Sequence, residues 1–400
     1  MISKDTISDV IEYWNEEIER SEVVQRDMMG KLSQTIEMEE VTVLKGVRRS
    51  GKTFMLFGLM KENGGTYVNF EDDRLADFGM DDFEKLFDIA IEKNEKILYL
   101  DEVQEIEGWE KFAHRVHRKL KLFVTGSNSK LLSSDFSKGL VGRTKSMVSK
   151  PLNYIEFLRF KKLPNKRESF LNYMDTGGFP RVVLTGDKDL AQEYYDRIIY
   201  RDIIAKNSIR NPEALKNISN YLLSNIGKEF SFRSLKQLSG LKHETTVREY
   251  IDLLQDGYLL KILRAYSPSL KKQEGYSKKI YAVDPSFIRL GKRMEKDSGR
   301  ILENVVFNHI QDKADIFFWK NSYEVDFILC TGLKPTSAIN TTFEADEEST
   351  LSREIKGLKK ISKNLNIPSR LVSVYPLKGL PEPVEHRLAH RYLAEKKKRA

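Results

Sequence analysis

Gly46-Val47-Arg48-Arg49-Ser50-Gly51-Lys52-Thr53 satisfies the pattern G-x-x-x-x-G-K-[ST], and its flanks decide how it is read. The apolar run Val41–Leu44 precedes it and a helical pattern opens at Lys52, giving strand, loop and helix in the order a phosphate-binding loop requires. Gly46 and Gly51 let the backbone curl, so that successive amide N–H groups across Val47, Arg48, Arg49 and Ser50 turn toward phosphate oxygens. The helix N-terminus adds its partial positive charge. Lys52 is then expected to reach the β- and γ-phosphates, and the Thr53 hydroxyl to ligate Mg²⁺. A glycine-flanked turn carrying Lys-Thr by chance would not need this context. ATP and Mg²⁺ are the expected cofactors; the loop itself does not choose between ATP and GTP.

Outward from the loop, short apolar runs alternate with helical segments: Thr66–Asn69, a helix from Asp81 to Asn94, Ile97–Leu100, a helix over Trp109–Lys119, and Leu122–Thr125. That alternation predicts an α/β fold with a parallel sheet and helices on both faces. Ahead of it, Ile7, Val10, Ile11, Trp14 and Ile18 recur at helical spacing and predict an amphipathic helix packed on the sheet. Ile97-Leu98-Tyr99-Leu100-Asp101-Glu102 is a buried strand ending in two carboxylates, where an open parallel sheet places its ligand. Asp101 is expected to hold Mg²⁺ and Glu102 to orient or deprotonate the attacking water.

Leu122-Phe123-Val124-Thr125-Gly126-Ser127-Asn128 ends in polar residues, which puts Ser127 or Asn128 forward as a γ-phosphate sensor, with ordinary loop capping as the alternative. Gly139-Leu140-Val141-Gly142-Arg143 carries an arginine on a glycine-hinged segment. It is a candidate finger for the nucleotide of a neighbouring subunit, worth about 10³–10⁵ in rate where one operates, or else a surface arginine in a turn.

The 400 residues exceed one ordinary core and predict several domains. The net charge of +8 fits contact with a polyanion without demanding it, and part of the excess lies in Lys396–Arg399. Charges throughout the first twenty residues exclude a secretory leader there, and Phe54–Met60 is too short to span a bilayer. A lone cysteine, Cys330, excludes an internal disulfide framework. A cytoplasmic location without membrane attachment is expected.

Residue 151 marks a change to helical segments without strands, and four regions are expected: a nucleotide-binding core over 1–150, a helical lid or linker over 151–210, a helix-turn-helix region over 211–267 and a mixed α/β region over 268–400. Phe230–Gly240 and the following helix, with Val247, Tyr250, Ile251 and Leu254 on one face, suggest a winged helix-turn-helix. Its second helix offers Glu244, Glu249 and Asp252 against Arg248, a poor surface for phosphates, while Arg233, Lys236, Lys242, Arg264, Lys271 and Lys272 could supply backbone contacts. DNA and a partner protein are both candidate ligands.

The residues together resemble prokaryotic, especially archaeal, AAA+-type P-loop ATPases with a C-terminal domain of unknown function. The resemblance rests on Gly46–Thr53, Leu100-Asp-Glu-Val-Gln104, Thr125-Gly-Ser-Asn128, Gly142-Arg143, Pro151-Leu-Asn-Tyr-Ile-Glu-Phe-Leu158, Gly177-Gly-Phe-Pro180 and Tyr200-Arg-Asp202. It implies ATPase activity, a finger role for Arg143 in a homo-oligomer, and a C-terminal winged helix followed by a PD-(D/E)XK nuclease-like fold. Glu303 and Asp326 match two positions of that nuclease pattern, but Ala338-Ile339-Asn340 stands where a ligand and a lysine are needed. No nuclease activity is therefore expected, unless a lysine such as Lys334 substitutes. The function expected is an ATP-driven conformational switch linked to DNA. A nucleotide-gated protein-interaction module and a DNA-cleaving nuclease-ATPase are the alternatives.

Overall fold

The computed structural model describes residues 1–126, 140, 142–291, 297–343 and 348–395. Contacts divide the chain into two compact units, Met1–Pro151 and Leu152–Ala400.

In the first unit, β1 (Val41–Gly46), β2 (Thr66–Asn69), β3 (Ile97–Asp101), β4 (Lys121–Gly126) and β5 (Thr144–Ser149) form a sheet in the order β2-β3-β4-β1-β5. Every pairing in it is parallel. A parallel sheet covered on both faces needs apolar side chains pointing both ways, which is why central β3 and β4 read as hydrophobic runs over Ile97–Leu100 and Leu122–Val124, while edge strand β5 is largely polar. Their alternation sorts into two cores. Val41, Val43, Val68, Leu98, Leu100, Leu122 and Val124 face one side with Ile7, Val10 and Ile11 of the helix Lys4–Arg20. Leu44, Tyr67, Ile97, Tyr99 and Phe123 face the other with Ile18 and with Met55, Leu56 and Leu59 of the helix Lys52–Asn63. Ser3 starts the first helix by accepting a hydrogen bond from the Thr6 N–H, and Trp14, packed against both cores, donates its indole N–H to Asp72 at 2.9 Å.

The second unit opens with the helices Tyr154–Lys161, Arg167–Thr176, Pro180–Thr185 and Leu190–Arg197, the last continuing as a π-helical turn over Ile198–Ile204. Asn153 and Glu156 cap the first of these reciprocally.

After the helix Pro212–Ser224 come β6 (Glu229–Phe230), the helices Phe232–Ser239 and Glu244–Asp256, β7 (Leu260–Ala265), β8 (Lys278–Ala282), the helix Ser298–Ile310, β9 (Asp315–Lys320), β10 (Glu324–Thr331), β11 (Lys334–Thr342), the helix Glu348–Leu365, β12 (Ser369–Ser373) and β13 (Val384–Leu388). These strands make one mixed sheet in the order β13-β12-β11-β10-β9-β7-β8-β6. Because Arg264 and Ala265 pair with Phe317 and Phe318, strands on either side of residue 268 share that sheet. The helix Glu348–Leu365 follows residues 344–347, which lie outside the described residues.

Candidate nucleotide site

The loop is held by its neighbours before any ligand is considered. Gly46 has φ 142°, and a Cβ built there would lie 2.0 Å from the Ser149 carbonyl oxygen of β5. No other residue type fits so close an approach. Buried Arg26 donates to the Ser50 carbonyl at 2.7 Å and to the Lys150 carbonyl at 2.9 Å, and the Ser50 and Ser149 hydroxyls meet at 2.9 Å. Gly51, at φ 93°, turns the chain into the helix, whose N-terminus has no side-chain cap. An uncapped first turn leaves helix amides available to an anion, and the helix dipole favours one. Arg48 pairs with Glu71 at 3.1 Å, while Arg49, exposed, takes the left-handed conformation at φ 67°.

Lys52 is buried, with its ammonium donating to the Gly46 and Val47 carbonyls at 3.0 and 3.2 Å. Thr53 Oγ1 donates to Asp101 Oδ2 at 2.7 Å. Asp101 is fully buried and also accepts from Tyr67 at 2.7 Å and from the Thr125 hydroxyl. Burial and the adjacent Glu102 charge push its carboxyl above the ordinary range, while the three hydroxyl donors oppose them. Burial and Asp101 push the Tyr67 phenol well up, so this hydroxyl stays a donor. Glu102 sits at φ 52°, with its N–H on Thr125 Oγ1 at 3.0 Å and its carboxylate accepting from Gln104 at 2.6 Å.

Thr53 and Asp101 thus bring two hard oxygen donors together at the mouth of the loop. That set suits Mg²⁺, which takes one or two protein ligands and completes its shell with phosphate and water. Tyr67 and Thr125 were not singled out from sequence. Thr125 could have been, since a polar residue closing an apolar strand beside Asp101 is a visible signal; Tyr67 reaches Asp101 from β2, and nothing local marks it.

Asn128 lies outside the described residues, as do Ser127, Gly139 and Val141. Arg143 is exposed and precedes β5, where its carbonyl accepts the Val41 N–H at 2.9 Å and its guanidinium meets His114 Nε2. Val41 begins β1 and the loop follows its end, so the strand's six residues separate Arg143 from the loop of its own chain by roughly 20 Å at about 3.3 Å per residue.

In the second unit, the lysine beside Glu303 and Asp326 is Lys279 from β8, not Lys334. Its ammonium lies 3.1 Å from Glu303, 2.9 Å from Glu324 and 4.0 Å from Asp326. Burial alone would lower its pKa, but the three carboxylates raise it above the ordinary value, so Lys279 stays charged. Tyr281 donates to Glu303 at 2.6 Å, and Thr341 donates its N–H and hydroxyl to Asp326 at 2.8 and 2.9 Å. Asn340 spans Glu354 and the Asp326 N–H. Among the described residues no group of three or more His, Cys, Asp and Glu residues is arranged to hold a metal ion. Across the helices Phe232–Ser239 and Glu244–Asp256, the Arg248 guanidinium lies over the Phe232 ring at 3.9 Å, while Thr245, Glu249 and Asp252 are exposed. No described helix is long and apolar enough to cross a membrane.

Residues 38–158 match the AAA domain family, and residues 167–296 match a domain of unknown function, DUF8612. The uncharacterized protein MJ1544 of Methanocaldococcus jannaschii is 33% identical over 398 residues, covering 92% of this chain and 88% of that protein. An uncharacterized protein of Haemophilus influenzae is 27% identical, over 76% of this chain and 83% of its own length. A Walker-type ATPase of Pyrococcus abyssi aligns with a TM-score of 0.46 at 16% identity, over 67% of this chain and 95% of that one. With the loop, the parallel sheet and the AAA match in hand, the chain belongs to the same family as the M. jannaschii protein, one of P-loop ATPase type with an AAA domain.

Proposed function

We propose that this chain binds ATP with Mg²⁺ at residues 46–53 and hydrolyses it, and that the nucleotide state sets a conformational switch read out by the C-terminal half. The observation that carries the reading is the Lys52, Thr53 and Asp101 constellation. A cation is stored on the loop's own carbonyls, and a hydroxyl and a carboxylate sit at hydrogen-bond distance at its mouth. On binding, the Lys52 ammonium exchanges the Gly46 and Val47 carbonyls for phosphate oxygens. Thr53 and Asp101 would hold Mg²⁺, which supplies charge neutralisation between the phosphates. Glu102 orients the attacking water and accepts its proton, with the Thr125 hydroxyl fixing the backbone from which it projects. Arg143 serves a neighbouring copy in a homo-oligomer, and Asn128 is the sensor.

Within this reading, residues 1–150 are the ATPase core, 151–210 a helical lid, 211–267 a winged helix and 268–400 a nuclease-like domain without nuclease activity, in a cytoplasmic protein. Ala338-Ile339-Asn340 in place of a ligand and a lysine supports the last point; Lys279 beside Glu303 and Asp326 is a lysine that could substitute, and metal-dependent cleavage abolished by Asp326→Ala would establish the nuclease reading instead. DNA is the partner proposed for the winged helix. A protein partner is the second reading, favoured by exposed Glu249 and Asp252 and by Arg248 lying on Phe232.

Steady-state ATPase rate, with and without duplex DNA at two salt concentrations, tests the proposal with Lys52→Ala and Glu102→Gln as controls. Magnesium-dependent turnover lost in both variants is expected. Stimulation by DNA that fades with salt supports the DNA reading, and indifference to DNA the protein reading. Turnover unaffected by Lys52→Ala would refute the site.

A further inference from the structure

The helix Glu348–Leu365 has two unlike sides. Leu358 and Ile361 are fully buried against the sheet, and Gly357 presses so close that a Cβ there would come within 2.5 Å of the Glu324 carbonyl. On the other side Arg353, Lys356, Lys359, Lys360 and Lys363 are exposed. Between Ser352 and Leu365 the one carboxylate, Glu354, accepts from Asn340 at 2.6 Å and from Arg353, so it does not neutralise the lysines. No ion pair engages Lys356, Lys359, Lys360 or Lys363 among the described residues; Lys360 lies 5.5 Å above the Tyr323 ring. Beside them runs a groove of about 600 Å³ lined by Leu351, Ile355 and Pro381 together with Lys356, Lys359 and Lys360.

We propose that this groove docks an acidic, amphipathic peptide segment of a partner protein, its aliphatic side chains on Leu351, Ile355 and Pro381 and its carboxylates on the lysines. Charge alone would also suit a nucleic-acid backbone, but a duplex has no aliphatic group to fill an apolar depression. An anionic bilayer needs apolar side chains that protrude, whereas Leu351, Ile355 and Pro381 are half-buried and Leu351 and Ile355 pack against the core. An acidic segment with aliphatic anchors satisfies both features at once, in the manner of helix-in-groove recognition. The inference stands apart from the nucleotide site, and Lys52→Ala should leave it intact.

The test uses the full chain and a fluorescein-labelled peptide of about 12 residues with two leucines at i and i+4 among glutamates. Fluorescence anisotropy is read for this peptide, for its Leu→Ser counterpart, for labelled duplex DNA, and for phosphatidylserine vesicles through cosedimentation. Expected are saturable binding of the leucine peptide, about tenfold weaker for Leu→Ser, and about tenfold weaker again for the Lys356→Glu/Lys359→Glu variant. Binding should also weaken as salt rises from about 50 to about 300 mM. The melting temperature of the double variant, whose changed side chains are exposed, checks the fold. Equal binding of the Leu→Ser peptide, an affinity untouched by the reversal, no binding at all, or a reversal that abolishes only DNA or vesicle binding would each overturn the proposal.

Discussion

Tyr67 and Asp101 sit on neighbouring parallel strands, and the phenol donates a 2.7 Å hydrogen bond to the same carboxylate oxygen that Thr53 engages. One buried oxygen thus serves both the scaffold and the proposed metal partner. Removing the phenol in Tyr67→Phe leaves a buried carboxylate one donor short, which costs about 1.5–3 kcal/mol where the acceptor is charged. Denaturant unfolding should register that loss. The magnesium concentration for half-maximal nucleotide binding should shift in the same variant, since Asp101 is freed from one competitor; an unchanged midpoint and unchanged magnesium response would refute the coupling.

Gly46 offers a contrast with Gly30. The Cβ of Gly46→Ala would overlap the Ser149 carbonyl at 2.0 Å on a backbone with positive φ, so β1 and β5 must part or the loop must move. A loss of roughly 3 kcal/mol or more is expected, along with nucleotide binding. Gly30 lies exposed in the helix Met29–Ser33 with nothing within 4 Å of a Cβ, and Gly30→Ala should stabilise by about 0.5–1 kcal/mol. Thermal unfolding of the pair separates close approach from helix propensity.

How much of this was legible in the sequence depends on whether the cause was local. The loop, the strand entering it and the two carboxylates closing β3 are adjacent in sequence or set by strand direction, and pattern reading reaches them. The amphipathic stripe from Ile7 to Ile18 was equally plain, because its burial follows from helical spacing. Thr125 carried a local signal that went unused, whereas Tyr67 and Lys279 were not legible as site residues, since Tyr67 reaches Asp101 through the register of β2 with β3 and Lys279 meets carboxylates from the helix Ser298–Ile310 and from β10. Lys334, the substitute suggested by sequence, lies on β11 with Ala338–Asn340, whereas the lysine beside Glu303 and Asp326 arrives from β8. One sheet crosses residue 268 because β7 pairs with β8 from Leu260 opposite Ala282 to Arg264 opposite Lys278, and with β9 through Arg264 with Phe317 and Ala265 with Phe318, pairings that no local signal marks.

Lys279, held by Glu303, Glu324 and Asp326, predicts a large and partly reversible effect of mutation. Lys279→Met removes the ammonium that faces all three carboxylates and leaves buried Glu303 and Asp326 as like charges without it. Breaking a buried pair from one side costs about 3–5 kcal/mol. Adding Glu303→Gln and Asp326→Asn should recover much of it, because the remaining groups can hydrogen-bond without charge. Denaturant unfolding of the three proteins reads the result, and a Lys279→Met variant as stable as the parent would refute this account.

His386 supplies a pH dependence whose sign is fixed. Burial, and then the neighbouring Arg387, lower its pKa from the ordinary 6.5, while Nε2 lies 2.7 Å from Ser373 Oγ. The unfolded chain therefore binds the proton more readily than the folded one. Stability from this group is complete above pH 6.5 and declines as the pH falls from there through the lowered folded value. Carboxylates with lowered pKa also cost stability in acid, so the readout is the difference between the parent and His386→Gln. That difference should shrink below pH 6.5; a constant difference would refute it.

Arg143 stands at the opposite end of β1 from the loop, and an arginine side chain does not bridge roughly 20 Å. If it is a finger, it acts on another copy, and subunit mixing reveals this without an oligomer structure. Lys52→Ala copies lack a working loop but keep Arg143; Arg143→Ala copies keep the loop but lack the arginine. Each alone should hydrolyse slowly, with Arg143→Ala down by about 10³ or more. Mixed, the first supplies its arginine to the second, and turnover should rise well above the average of the two separate rates. A mixture that only averages them, at concentrations where the copies associate, would leave Arg143 as a surface residue beside His114.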